Sequence, residues 1–272
     1  MRKPLLFFVP VLALFFFLLL SFKSANAQQD AFYQSYLNSQ ESYRRAENQY
    51  ELKRSEYLKF GTLASKNEAI SATRSFLIAR DNVWVNYFSL ITSNLRANNL
   101  VIKEDIKNTT AEKIEAEVGF FENQKREAEN ANELEKLVEI SRNTEERIND
   151  TETVGFTVVG EIKIARLEYQ KNRIQDIIND LETKLGAIDD KGDKDTSLAR
   201  RWLTDAKTEL ASYQDNIMIS REVLLEIETK TSESSKRSKF NEMQSVLDDA
   251  KENLYSSNKF LSEIVREVKT AD

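Results

Sequence analysis

From Phe32 onward, apolar side chains recur at alternating intervals of four and three residues. The first run reads Phe32, Tyr36, Ser39, Tyr43, Ala46, Tyr50, Lys53, Tyr57 and Phe60. A helix of 3.6 residues per turn sets all nine on one stripe, whereas strand alternation would scatter them over both faces. Proline occurs only at Pro4 and Pro10, and there are six glycines in 272 residues. Nothing therefore interrupts a long helix after residue 10, and the frequent turns of an all-β chain lack their usual residues. The reading is an all-α protein: an elongated bundle of five or six long helices arranged as antiparallel, coiled-coil-like hairpins.

The same spacing places the remaining elements. Gly61 suits the left-handed end of the first helix, and Ser65 with Glu68 reads as a capping box opening a second, so that about five residues join the two. Ile70, Leu77, Trp84 and Ile91 then repeat every seven residues, flanked by Phe76, Val83, Phe88, Leu90 and Leu95. A connection this short forces the two helices into an antiparallel pair. Asn98 and Asn99 mark the next break, residues 100–108 read as a helical turn or a linker, and Thr109 with Glu112 reads as a capping box opening a third helix. Residues 122–133 are almost wholly polar, and apolar spacing resumes at Leu134, Leu137 and Val138. Residues 153–164, rich in valine and threonine with two glycines, carry strand propensity but have no partner run, and read as the start of a fourth helix. Residues 186–195 read as a loop. The last two runs, from Leu203 to Ile227 and from Phe240 to Val268, keep heptad register without an error. The expected division is a leader at 1–27 and helical hairpins at 28–104, 105–190 and 191–272.

The leader expectation rests on Arg2 and Lys3, an apolar run from Leu5 to Leu20, and small residues at Ala25 and Ala27. This is the pattern of a signal peptide cleaved after residue 27; the alternative is an uncleaved anchor, since the run is nearly long enough to span a bilayer. In either case the expected location is extracytoplasmic: secreted, periplasmic or at the cell surface. Beyond the leader stand 36 basic and 45 acidic side chains, a net charge of −9. That sign opposes nucleic acid and anionic lipid as main partners and leaves the membrane to be met only through an uncleaved N-terminal segment.

Histidine and cysteine are both absent. Imidazole- or thiol-based nucleophilic catalysis, ordinary zinc sites, His- or Cys-ligated haem and disulfides are thereby excluded. Carboxylates abound, but no pair among them stands out as a general acid and base. No catalytic residue, metal ligand or cofactor is assigned; the acidic segment 189–195 invites a calcium reading but lacks the required D-x-[DN]-x-[DN]-G spacing. The tyrosine stripe is the most unusual feature, because each hydroxyl needs water or a partner. Tyr36, Tyr43, Tyr50, Tyr57 and the seam-flanking Trp202 form the candidate interaction face; the plainer reading of the stripe is an internal seam packed on the second helix. The expected function is that of an exported, non-enzymatic spacer, scaffold or protein-interaction surface of the cell envelope, with a protein partner or self-association. The alternative is a glycan- or peptide-binding module using the aromatic face, and an envelope hydrolase working through carboxylates comes last.

Overall fold

The computed structural model describes residues 27–191 and 195–270. The leader read at 1–27 lies outside the described residues except for Ala27. Six α-helices and no strand occur among the described residues: α1 (Ala27–Phe60), α2 (Leu63–Leu95), α3 (Glu104–Asn130), α4 (Leu134–Lys191), α5 (Ser197–Thr229) and α6 (Glu233–Thr270). The all-α bundle expected from the spacing is the fold.

The α1–α2 hairpin turns on two residues rather than five. Gly61 takes φ +61°, the left-handed conformation that glycine adopts without strain. Thr62 is the N-cap of α2: its hydroxyl accepts from the Ser65 N–H at 3.1 Å, and Ser65 Oγ accepts from the Thr62 N–H at 3.1 Å. The capping box is thus Thr62 with Ser65, three residues earlier than the Ser65–Glu68 pairing expected. Ser65 is nearly buried at the third helical position, and a threonine next to the glycine turn can take the extended backbone that a cap requires. A similar correction applies to α3, which starts at Glu104 behind Lys103 with no side-chain cap, leaving Thr109 and Thr110 inside the helix. Leading acids Glu104 and Asp105 favour that start through the helix dipole.

The polar stretch ends α3 at Asn130, and a short break over residues 131–133 reverses the chain into α4. At 58 residues, α4 is about 87 Å long. It absorbs three segments read differently from sequence: residues 134–148, assigned to the preceding helix, residues 153–164, assigned to a helix start, and residues 186–191, assigned to a loop. Contacts explain why it runs through. It packs on α2, α3, α5 and α6, and along its middle these overlap: α6 already meets it at Asn149 and Thr153, while α2 still meets it at Arg166. Between residues 151 and 167 it is buried on nearly every side. A helix enclosed all round needs small and β-branched residues where neighbours crowd it, and this composition imitates a strand. Gly160 shows the crowding: a Cβ there would lie 2.6 Å from Leu224 Cδ1 and 3.0 Å from Met243 Sδ.

The apolar stripes become seams. Ile70, Leu77, Trp84 and Ile91 of α2 are all buried, as are the seam residues of α5 and, in α6, those from Phe240 to Ile264. Each fully buried Leu or Ile contributes about 1.5–3 kcal/mol of transfer free energy. Between α5 and α6 the register is also fixed by polar contacts, with Ser257 Oγ donating to the Ala206 carbonyl at 3.0 Å and Asn253 bonding Asn216 and Glu209 at 2.9 Å each. The outcome is two bundles, α1–α3 and α5–α6, that share one continuous helix, α4, and overlap along its middle.

Candidate interaction surfaces

The tyrosine stripe is graded along α1. Tyr36 and Tyr43 are buried against α2, where Tyr36 meets Tyr87 at 5.8 Å between ring centroids and Tyr43 meets Phe76 at 5.4 Å. Tyr50 is half-buried and stacks on the same Phe76 at 5.0 Å, and Tyr57 is half-buried nearer the turn. The hydroxyls use neighbours one turn on: Gln40 Nε2 donates to the Tyr36 oxygen at 2.7 Å, and Tyr43 points at Glu47. Burial pushes both Tyr36 and Tyr43 far above the usual phenol range, so both remain neutral. The first half of the stripe is therefore an internal aromatic seam. Trp202 is half-buried and packs against the core from α5. It sits in the second bundle, and the structure does not bring it together with the four tyrosines. Trp84 is core, stacked on Phe121 at 5.6 Å.

Two concave places exist beside these seams. A groove of about 680 Å³ lies between the C-terminal end of α2 and α3, with Phe32 of α1 at one side and Ile114, Val118 and Gly119 on its floor. Ser89 and Thr92 hydroxyls in it are spent on the carbonyls of Val85 and Phe88, both at 2.8 Å. Its charged groups, Arg96, Glu115 and Glu122, are exposed on the rim. A shallower groove of about 370 Å³ runs between α3, α4 and α5, and ion pairs Lys113–Glu228 at 2.9 Å and Arg221–Glu161 at 3.8 Å cross it. Among the described residues no cluster of three or more acids is placed to hold a metal ion. Asp189 instead accepts from Thr196 and from the Arg200 guanidinium, which hold its carboxyl below the usual range.

The buried charges sit inside the bundles. Asp81 is fully enclosed beside Arg80 at 2.9 Å, and Arg80 donates on to Thr144 of α4 at 2.7 Å. Glu117 of α3 accepts from Arg147 at 2.7 Å and from Thr151 at 2.6 Å. Both clusters tie α4 to the first bundle, and a buried charge with such partners fixes orientation more than it adds stability.

The largest departure from the sequence reading lies at the α1–α2 turn. Phe60 closes the stripe and was expected on the seam, yet it is 60% exposed, with Leu58 at 63% and Leu63 at 75% on either side. These side chains flank a two-residue turn, beyond which, among the described residues, no partner helix extends. Periodicity assigns a face to each position but is blind to where the opposing helix stops, so only the position of the glycine turn hinted at this exposure. Comparison with protein-family models, with curated proteins and with solved structures finds no match for the chain.

Proposed function

We propose that the protein is a non-enzymatic spacer or scaffold of the cell envelope that works through its exposed ends. The observation that carries this reading is α4: one continuous helix of 58 residues enters both bundles, so the two ends of the molecule are held apart by a rigid element. The apolar stripes are consumed lengthwise in internal seams, and what remains for partners is the surface. The absence of imidazole and thiol supports the same reading from chemistry. The alternative, a ligand-binding aromatic face on α1, draws on the half-buried Tyr50 and Tyr57 and is weakened by the burial of Tyr36 and Tyr43.

Because the chain has no cysteine, each introduced one is a unique handle. Single cysteines at Ala64 near the α1–α2 turn, at Arg54 beside Tyr50 and Tyr57, and at Ser212 on α5 are each coupled to a crosslinker, using an impermeant reagent on intact cells. The expected result is labelling from outside the cytoplasmic membrane, with adducts from the turn position. Adducts only from Arg54, the flank of the aromatic stripe, would favour the ligand-binding reading, and failure of the impermeant reagent to reach any position would overturn export.

A further inference from the structure

We infer that the tip of the α1–α2 hairpin is a docking point for an anionic lipid surface. The inference deepens the spacer reading, on which it rests, by assigning a partner to one end. Leu58, Phe60 and Leu63 project from the apex, each 60–75% exposed. Large apolar side chains clustered at one protruding end mark an interaction site rather than ordinary surface.

The charges around them select the occupant. Lys53 lies 2.9 Å from Glu56 and 2.8 Å from Glu68, so its single positive charge offsets one of the two acids nearest the turn. Between these acids stand Lys59 and Lys66, neither of which has an ion-pair partner among the described residues; Lys59 instead lies over the Phe60 ring at 5.1 Å. Lys53, Lys59 and Lys66 against Glu56 and Glu68 leave the apex a net charge of +1 on a chain that is acidic overall. Exposed apolar residues flanked by lysines suit the boundary between acyl chains and anionic headgroups, with the lysine stems reaching back to the phosphates.

A second copy of the chain fits less well, because two tips meeting head to head would bring four lysines together. A folded protein partner fits less well on geometry. The apex of a two-helix hairpin is convex and narrow, while a stable protein interface buries about 800 Å² on each side. Shallow insertion of three side chains needs no complementary shape.

The tip is read directly by a polarity-sensitive dye on Ala64→Cys in the full chain, with the same dye on Ser212→Cys as reference. The α1 helix is about 50 Å long, so the Ala64 position reports on the tip and not on the N-terminal segment. Vesicles of equal phosphatidylglycerol and phosphatidylcholine are compared with pure phosphatidylcholine. The expected result is a blue shift at the Ala64 label with anionic vesicles only. The double variant Phe60→Ser, Leu63→Ser should weaken it about tenfold or more, and Lys59→Gln with Lys66→Gln should weaken it several-fold and remove its salt sensitivity. No shift, or a shift unchanged in the serine variant, overturns the inference. A concentration-dependent shift without vesicles would assign the tip to a second copy, and a tip crosslink to a protein with no vesicle response would assign it to that protein. Each of the last two results removes the lipid assignment while leaving the spacer reading standing.

Discussion

Glu152 shows how a single residue ties the two bundles to pH. It lies on α4 almost fully buried, faced by Tyr87 of α2 and by Glu233, Lys236 and Arg237 at the start of α6. Burial, with a smaller push from Glu233, raises its carboxyl from 4.5 to about 7 against the pull of Arg237 and Lys236. Lys236 is already engaged, donating to the Asn149 carbonyl at 3.2 Å and to Thr153 Oγ1 at 2.5 Å. A raised acid pKa means that the folded chain holds this proton more tightly than the unfolded chain does. Its contribution to stability is therefore complete below about pH 4.5 and is lost as pH rises through about 7. Glu152→Gln mimics the protonated form, so its thermal melt should match the parent near pH 5 and exceed it at pH 8, by about 1–2 kcal/mol once partial solvent screening is allowed for. Equal melts at both pH values would refute this. The glycines give a second contrast at this scale. Gly119 and Gly186 have open space where a Cβ would go, so alanine at either should stabilise its helix by about 0.5–1 kcal/mol. Gly160→Leu should instead lower stability by about 3 kcal/mol or more in denaturant titration, since its added volume meets Leu224 and Met243.

At the level of elements, the hairpin turn depends on Gly61 and Thr62 together. Thr62→Ala removes the oxygen that accepts from Ser65 and should cost about 1 kcal/mol by chemical denaturation. Glu68→Ala, the position first expected in the capping box, should cost clearly less, as its visible role is an exposed ion pair with Lys53. Which helices exist was legible in the residues. Seams such as Leu203 to Ile227 and Phe240 to Ile264 followed the heptad to burial, with Val268 at the end of the last run half-buried, because a stripe stays buried wherever a partner helix runs alongside it. The limits of the helices were less legible. Residues 153–164 resemble a strand in composition only because α4 is enclosed there on several sides, a condition imposed by α2, α5 and α6 and by no neighbour in sequence. Ends failed for a related reason: several hydroxyl residues near a helix start satisfy the capping pattern, yet at α2 the one in extended backbone, Thr62, is the cap, and α3 starts behind Lys103 with no side-chain cap at all.

For the whole molecule, α4 is the decisive element, since residues 151–167 contribute to both bundles at once. Local unfolding of either half strips burial from the same segment, so calorimetry should record one cooperative transition; two well-separated transitions would show that the bundles fold independently. Solution scattering should give a maximum dimension of at least about 90 Å, the length of α4 with its flanking turns. By itself, the sequence determined that this chain is helical, that its seams run lengthwise, and that histidine and cysteine chemistry is closed to it, because periodicity and composition are properties that each segment carries alone. Only the tertiary structure decided that α4 would be continuous, that Tyr36 and Tyr43 would be enclosed while Leu58, Phe60 and Leu63 stood free, and that Glu152 would be buried. Each of those outcomes depends on where a second helix passes or stops, which is information no single stripe of side chains contains.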